Sequence, residues 1–231
     1  MRRRFLLRST PNRPPRSSIV GRKRAVEIAR QAELLRADLL VLGTHGRSGF
    51  QRLFLGSVTE KLLRTTSIPV MTIPPPVRKP ESVRYKTILC PVDFSDESMR
   101  ALDYALSLAK EADARIVLLH VVEGFTDTPY ANELSNLSVR EYYEQIEADA
   151  AKQLAAAVPD EARTWARPVE RVIKGRAYRE ILKMAQDERV ELIVMGVRGR
   201  GAVDRFILGS NTDHVIRGAA CPVLTLHRTD S

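Results

Sequence analysis

The sequence is poor in cysteine and aromatic residues, and it has no long apolar run. Of its 231 residues only two are Cys and 6% are Phe, Trp or Tyr. Two thiols, Cys90 and Cys221, are too few for a disulfide framework, so we expect both to be reduced and buried, as in a cytoplasmic protein. A membrane-spanning helix needs about 18 consecutive apolar residues, and no segment reaches that length. Hydrophobic residues still make up 44% of the chain, which is enough for a packed core.

Acidic residues are scarce in the N-terminal third. Residues 1–80 carry 17 Lys and Arg against four Asp and Glu, whereas residues 81–231 carry 20 against 24. The net charge of +9 therefore comes from the N-terminal part. It does not indicate a nucleic-acid-binding surface over the whole molecule, and we do not expect nucleic acid as a partner.

Residues 1–18 are basic and rich in proline around one short apolar tripeptide, Phe5-Leu6-Leu7. They lack the apolar stretch of about 7–15 residues and the small-residue cleavage site of a secretory signal. A targeting segment, a basic arm that binds nucleic acid and a disordered stretch outside the folded protein all fit this composition. We treat residues 1–18 as disordered and leave them out of the fold prediction.

The chain contains an internal repeat. Residues 38–73 and 191–226 align without a gap over 36 positions. Both copies have Gly-x2-Gly followed by nine residues and Gly-Ser: Gly43, Gly46, Gly56 and Ser57 in the first copy, Gly196, Gly199, Gly209 and Ser210 in the second. We infer that the chain is a duplicated domain.

The second copy reads as alternating strands and helices. Short, continuous apolar runs that end near Gly or Pro predict strands buried on both faces. The predicted strands are 87–93, 115–122, 169–174, 192–195 and 222–226; the predicted helices are 96–111, 138–157, 177–187 and 210–217. Ser95 is expected to cap the first helix, and Ser138 with Glu141 to form a capping box for the second. This alternation predicts a doubly wound parallel α/β sheet over residues 84–231.

The first copy is shorter. Ser18 to Gly21 fit the end of its third strand, 22–36 a helix, 39–42 a strand, 57–64 a helix and 69–73 a strand. Judged from the second copy, about 90 further residues would be needed to supply its first two strands and their helices. An unpaired apolar strand at 39–42 is a liability. We expect it to be covered by the second domain or by another chain, or to belong to a poorly folded fragment.

Two motifs resemble the nucleotide-binding class of universal stress proteins: the Gly spacing from Gly196 to Ser210, and Pro91-Val92-Asp93-Phe94-Ser95. The resemblance covers 84–231 and the last third of a second domain at 19–76, with 77–83 as a Pro-rich linker. It implies a five-stranded parallel sheet of strand order 3-2-1-4-5 flanked by helices, preceded here by a partial second copy. It also implies a stress-response protein of a family in which dimers, tandem repeats and ATP binding are common.

The resemblance implies that the final strands of the two copies pair, within one chain or across a homodimer. These strands run from Ile68 to Ile73 and from Cys221 to Leu226. The ATP site that it implies consists of ten residues of the second copy: Pro91, Val92, Asp93, Val121, Met195, Gly196, Gly199, Gly209, Ser210 and Asn211.

Each residue has an implied role in that site. Asp93 would lie near adenine and ribose, with Pro91 and Val92 shaping the base pocket and Val121 and Met195 lining it. The glycines would let the backbone approach ribose and phosphates, and Gly209 with Ser210 would hold phosphate oxygens. Many members of the family have Val at the position of Asn211, and the first copy also has Val there, as Val58. General physical rules, separate from the resemblance, favour the same position for the site. Ligands of open α/β sheets bind at strand carboxyl ends, glycine permits close backbone approach, and helix N-termini attract anions.

Other chemistry has weaker support. No Gly-Lys-Ser/Thr is present, so the phosphate-binding lysine of P-loop enzymes is missing. The four histidines, His45, His120, His214 and His227, show no metal or triad spacing, and Asp96, Glu97 and Asp103 are explained by the dipole at a helix start. We expect binding of ATP, with or without Mg²⁺, in the second copy only. A slow ATPase and a dimerisation scaffold that binds no nucleotide are the alternatives.

Overall fold

The structure, a computed structural model, describes residues 21–44, 55–75, 85–123, 137–199 and 208–227. The helices are α1 Gly21–Leu34, α2 Ser57–Thr65, α3 Asp96–Ala112, α4 Leu137–Ala156, α5 Asp160–Ala166, α6 Ala177–Asp187 and α7 Ser210–Gly218. The strands are β1 Leu40–Gly43, β2 Val70–Ile73, β3 Thr87–Pro91, β4 Arg115–Val122, β5 Val169–Lys174, β6 Leu192–Gly196 and β7 Val223–Leu226. None of the helices in these ranges is long and apolar enough to cross a membrane.

All seven strands form one sheet, in the order β1-β2-β7-β6-β3-β4-β5. Neighbouring strands are parallel except β2 and β7, which are antiparallel. We call the described residues 21–75 the first unit and 85–227 the second unit. Within the second unit the order β5-β4-β3-β6-β7 is the predicted 3-2-1-4-5, so the fold class is confirmed.

The core lies on both faces of the second unit's sheet. Successive side chains of a strand point to opposite faces, and here each face is covered by helices. Ile88 and Ile116 pack with α3 and α5 on one face, whereas Leu89, Val117 and Ile193 pack with α6 and α7 on the other. Burial on both faces explains why these strands are continuous apolar runs in the sequence.

Three local predictions are wrong or incomplete. Helix α4 already includes Leu137, so Ser138 lies inside the helix and cannot be its N-cap, because an N-cap residue lies outside the helical turn. Helix α5 was not predicted at all. Gly21 belongs to α1 and not to a strand, while residues 18–20 lie outside the described ranges. The predicted cap of α3 is confirmed, because the Ser95 hydroxyl accepts a bond of 3.3 Å from the Ser98 N–H.

The two units join through the antiparallel pairing of β2 with β7. Met71 lies opposite Leu224, and these two residues are equivalent positions of the repeat. On either side, the Thr72 hydroxyl donates to the Val223 carbonyl (3.2 Å) and the Thr225 hydroxyl donates to the Val70 carbonyl (3.1 Å). The bonds are therefore related by a local two-fold axis, and the predicted pairing of the final strands is confirmed within the chain.

A buried histidine adds a second link between the units. The imidazole Nε2 of His227 donates to the Leu63 carbonyl of α2 at 2.6 Å, and Arg100 donates to the His227 carbonyl. His227 is 8% exposed, and its Nδ1 has no hydrogen-bond partner among the described residues. Burial lowers the pKa of His227 from its ordinary value, so the folded protein favours the neutral ring.

We expect the Thr72→Val and Thr225→Val variants to lose similar amounts of unfolding free energy, about 1 kcal/mol each, because each change removes one buried hydroxyl bond with little change in shape. Urea denaturation measures this loss. The matched control is Thr65→Val, whose exposed hydroxyl bonds within its own helix and whose removal should cost less. An unchanged free energy of unfolding in Thr225→Val would contradict the local two-fold symmetry.

We expect acidification below about pH 6.5, the ordinary pKa of His, to lower the unfolding free energy through His227. The folded pKa lies below the unfolded one, so the unfolded chain binds more protons as the pH falls. The stabilisation is complete above the unfolded pKa and is lost as the pH falls towards the folded one. Urea titrations should show a weaker pH dependence for His227→Gln than for the wild type.

Candidate functional site

A cavity of about 460 Å³ opens at the carboxyl ends of the central strands of the second unit. It lies where the strand order reverses, between β3 and β6, which is the usual ligand position in open α/β sheets. All ten residues implied by the sequence line it: Pro91, Val92, Asp93, Val121, Met195, Gly196, Gly199, Gly209, Ser210 and Asn211. The structure thus brings them together, and their binding role stays a prediction.

One side of the cavity is apolar. Val92, Leu119, Ile181 and Met195 line it and are each at most 5% exposed, and Val121 adds a half-buried side chain. Leu119 and Ile181 were not predicted as site residues, because from the sequence each reads only as a core position of its strand or helix. This apolar side of the cavity suits a flat, apolar ring of a ligand.

The opposite side is formed by backbone and small polar residues. A Cβ on Gly199 would lie 2.5 Å from Oδ2 of Asp93, so this glycine lets the loop after β6 approach the carboxylate. A Cβ on Gly196 would come within 3.0 Å of Glu97 Cβ, and one on Gly209 within 3.0 Å of the Val197 carbonyl. Gly196 and Gly209 are therefore needed for contacts inside the protein, a reason that their spacing alone does not reveal.

Asp93 shapes the turn into α3 and also lines the cavity. Its Oδ1 accepts hydrogen bonds from the Ser95 N–H (3.0 Å) and hydroxyl (2.5 Å), which shapes the turn into α3. Its Oδ2 lies on the side of Gly199, and the residue lines the cavity. Phe94, between Asp93 and Ser95, has a φ of 62°, a left-handed conformation that costs a non-glycine residue free energy. The turn is thus held in one shape by several contacts.

The N-terminus of α7 faces the cavity through Ser210 and Asn211. The Gly209 N–H donates to the Val197 carbonyl (3.1 Å), and the Thr212 hydroxyl donates to the Gly196 carbonyl (3.1 Å). These bonds tie the helix start to the end of β6. The first N–H groups of a helix have no acceptor inside it, and they lie at the positive end of its dipole. This side of the cavity therefore suits an anion.

The first unit repeats this connection. The Gly56 N–H donates to the Thr44 carbonyl (3.0 Å), and the Thr59 hydroxyl donates to the Gly43 carbonyl (3.0 Å). What differs is the neighbouring strand: among the described residues, β1 pairs with β2 alone, whereas β6 has β3 on its other side. Gly46 and His45 lie outside the described residues. The first unit thus has the helix start of the site without the strands that complete the cavity.

A buried ion pair holds the loop after β6, and one of its members is Glu97, which lies in the first turn of α3 as predicted. Glu97 is 6% exposed, so it does not simply compensate the dipole of α3 at the surface. Its Oε1 lies 2.6 Å from Arg198 Nη2, and its Oε2 accepts from the Arg198 N–H at 2.8 Å. Arg198 also lines the cavity, and its buried Nε has no partner among the described residues. The pair therefore fixes Arg198 at the edge of the site.

The histidines do not form a metal centre in the described part of the chain, where no three His, Cys, Asp or Glu side chains come together. His120 donates through Nδ1 to the Val92 carbonyl (2.7 Å) and packs against the Phe94 ring, so it supports the turn beside the cavity. The ring of His214 stacks on the ring of Tyr178 with 4.4 Å between the ring centroids, and neither residue lines the cavity. The ring of His120 therefore has a structural role beside the cavity.

We expect Glu97→Ala to lower the unfolding free energy by about 3 kcal/mol or more, because it leaves the Arg198 charge buried without its partner. Chemical denaturation measures the loss. Adding Arg198→Ala should recover part of it. The matched control is Asp149→Ala, which removes the exposed partner of Lys152 and should cost less than about 1 kcal/mol. Equal losses of unfolding free energy in Glu97→Ala and Asp149→Ala would mean that the buried pair is not stabilising.

Comparisons with known proteins agree with this geometry. The family model described as the universal stress protein family matches residues 8–74 and 84–227. A universal stress protein of Methanocaldococcus jannaschii is 32% identical over 145 residues, which are 62% of this chain and 83% of that protein. One of Mycobacterium tuberculosis is 29% identical over 208 residues, 88% of this chain and 65% of the relative.

A solved structure gives the same result. The crystal structure of a universal stress protein from Archaeoglobus fulgidus has a TM-score of 0.58 and 27% identity, and the match covers 89% of this chain and 66% of that one. The chain therefore spans about two thirds of the length of this protein and of the mycobacterial relative. Since the family model matches both repeats and most of the residues, the chain belongs to the universal stress protein family.

Proposed function

We propose that the cavity of the second unit binds ATP, and that the protein acts in the cytoplasm as a nucleotide-dependent sensor or adaptor of the stress response. The observation that carries the proposal is the division of one cavity into two chemistries. An apolar side around Val92 and Met195 faces a side made of glycine backbone, Ser210 and Asn211. A nucleotide has the same division, with a flat base at one end and phosphates at the other.

The residues present fit such a ligand. Val92, Val121 and Met195 would hold the base, and the carboxylate of Asp93 would accept from ribose hydroxyls. The N-terminus of α7 at Ser210 and Asn211 would bind phosphate oxygens, since its N–H groups and dipole favour negative charge. Arg198 adds a positive charge at the cavity edge, partly balanced by Glu97.

Mg²⁺ would enter with the phosphates and not as a resident ion. It usually binds through one or two carboxylates together with substrate phosphates and waters, and Asp93 is the carboxylate that lines the cavity. No base or nucleophile is arranged there for fast phosphoryl transfer among the residues that the structure describes. We therefore propose binding as the main activity, with slow hydrolysis as the alternative.

We also propose that residues 19–76 and 84–231 are two domains joined by a linker at 77–83, with ATP bound only by the second. The first unit keeps Gly43, Gly56 and Ser57, but in its described part β1 has no strand in the place that β3 takes beside β6. In the second unit, β3 and β4 contribute Pro91, Leu119 and Val121 to the cavity wall. A site with the helix start alone would hold phosphate weakly.

The proposal is tested by denaturing freshly purified protein and identifying the released nucleotide by mass spectrometry. We expect about one ATP or ADP per chain, because only the second unit is proposed to bind it. The double variant Gly209→Asp, Ser210→Ala should release none, because a carboxylate then stands at the anion side. Added ATP should raise the Tm of the wild type and not of the variant.

The chain supplies its own matched control. Gly56→Asp with Ser57→Ala makes the same change in the first unit and should leave the nucleotide content and the thermal shift unchanged. Loss of nucleotide in this control would place binding in the first unit or at both. Wild-type protein with neither bound nucleotide nor a thermal shift would favour the alternative function, a dimerisation scaffold with the same fold.

A further inference from the structure

Helix α3 connects the cavity with the first unit. Glu97, in its first turn, holds the loop after β6 through Arg198, which lines the cavity. Arg100 lies three residues further along, on the same side of the helix, and donates to the carbonyl of His227. The ring of His227 donates in turn to the Leu63 carbonyl of α2 (2.6 Å). One path of polar contacts therefore runs from the cavity lining to the first unit.

The strand register brings the two ends of this path close together. In the parallel pairing of β6 with β7, Gly196 lies opposite Leu226, and the Val197 N–H donates to the Leu226 carbonyl (2.9 Å). Arg198 follows Val197 and His227 follows Leu226, so both residues lie just beyond the last bond between the two strands. The cavity lining and the contact between the units thus meet at the same edge of the sheet.

The ring of His227 has one defined place for an additional proton. Its Nε2 already carries a hydrogen, because it donates to the Leu63 carbonyl, so a second proton binds at Nδ1. Nδ1 is buried and has no hydrogen-bond partner among the described residues. A buried N–H without an acceptor costs free energy. The ring therefore needs a nearby negative charge to hold that proton.

Charges from two elements of the second unit surround this ring. Among the described residues, the charged side chains that act on it are one carboxylate and two guanidinium groups: Glu97, Arg100 and Arg198. On the side of α2, the charges next to Leu63 are already paired, Arg64 with Glu60 at 2.7 Å. Burial lowers the pKa of His227, and the two positive charges lower it further, whereas the Leu63 carbonyl and Glu97 raise it. An anion bound beside Arg198 would oppose the effect of the positive charges.

The repeat shows that the histidine contact is not needed for strand pairing. Extending the alignment by one residue places Pro74 at the position of His227, and Ile216 is the counterpart of Leu63. The local two-fold axis would require a bond from Pro74 to the Ile216 carbonyl, but proline has no side-chain donor. The threonine hydroxyl bonds occur twice between the units, and the histidine bond occurs once. His227 is therefore an addition to the symmetric contact.

We propose that nucleotide binding in the cavity is coupled to the uptake of a proton at Nδ1 of His227, and that the Glu97–Arg198 pair is the link. The proposal rests on the proposed ATP site. Phosphate oxygens bind the Arg198 guanidinium and compete with Glu97 for it, so the carboxylate is left less neutralised. Glu97 then stabilises the imidazolium, whose proton comes from solvent.

The coupling acts in both directions. If ATP favours the protonated ring, then acid favours bound ATP by the same factor, because linkage between two binding equilibria is reciprocal. The protonated ring also gives a stronger, charge-assisted bond to the Leu63 carbonyl. Nucleotide and acidity are therefore read together at the contact between the two units, which suits the proposed sensor.

Isothermal titration calorimetry of the full chain with ATP tests the coupling. Heats measured in two buffers of different ionisation enthalpy give the number of protons taken up. We expect uptake below about pH 6.5, the ordinary pKa of His, that is lost in His227→Gln. Glutamine can still donate to the Leu63 carbonyl but does not titrate. Between about pH 7.5 and about pH 5.5, the wild-type affinity should rise about fivefold or more relative to His227→Gln, the lower end of ordinary couplings.

Two comparisons isolate the ring. Phosphate groups themselves titrate near about pH 6, and this contribution cancels because it is common to the wild type and His227→Gln. Thr72→Val weakens the same contact between the units without removing a titratable group, so it should keep the wild-type proton uptake. Loss of uptake in Thr72→Val as well would mean that loosening of the contact, and not the proton, changes binding, and it would overturn the proposal.

The wild type also gives a direct readout that needs no variant. An NMR titration of the His227 ring, with and without ATP, should show that bound ATP raises the pKa of this ring. This measurement decides the question even where His227→Gln does not fold.

Failure of the coupling and failure of the proposed function give different results. If ATP binds with the same proton uptake in the wild type and in His227→Gln, and leaves the ring titration unchanged, the coupling is wrong and the proposed function stands. If the wild type binds no ATP at any pH, the proposed function is wrong, and the coupling with it.

Discussion

The antiparallel pairing of β2 with β7 is the interaction on which the rest of the molecule depends. The first unit has few elements, and β2 shares main-chain bonds and two threonine hydroxyl bonds with the complete unit. A strand pair alone is marginal in water, whereas a strand added to a formed sheet gains a buried neighbour. Leu63, fully buried in α2 and bonded through its carbonyl to His227, extends the contact from strands to helices. The first unit is therefore stabilised by the second.

The candidate site depends on a different adjacency, that of β6 with β3. Their parallel pairing brings the Pro91 to Asp93 turn beside the loop that starts at Gly196, and Gly199 permits the closest approach. The ion pair of Glu97 with Arg198 then connects α3 to that loop. The first unit repeats the helix start, but in its described part no strand takes the place of β3. Comparing the two units therefore separates the contribution of β3 to the cavity from that of the helix start.

Much of this could be predicted from the sequence, because local signals and the repeat agree. The bounds of β4, β5 and α6 match the predicted ranges, since apolar runs bounded by Gly or charged residues leave little choice. The ten predicted site residues line one cavity because motif spacing and strand ends determine their place. The buried pair of Glu97 was missed because an acidic residue in a first helical turn has a sufficient local explanation, and its partner lies far away in sequence. The prediction of Ser138 as a cap was wrong because Leu137 before it already belongs to the helix.

Burial of the two thiols has a consequence for how this protein meets oxidants. Burial raises the pKa of the Cys221 thiol to about 12, and the pKa of Cys90, fully buried between sheet and helix, is raised further. Near neutral pH the thiol of Cys221 is then almost entirely protonated, so very little reactive thiolate is present. Peroxide reacts with thiolates, so these sulfurs are chemically silent while the fold is intact. Oxidation of Cys90 or Cys221 therefore requires local unfolding that brings the thiol to the surface.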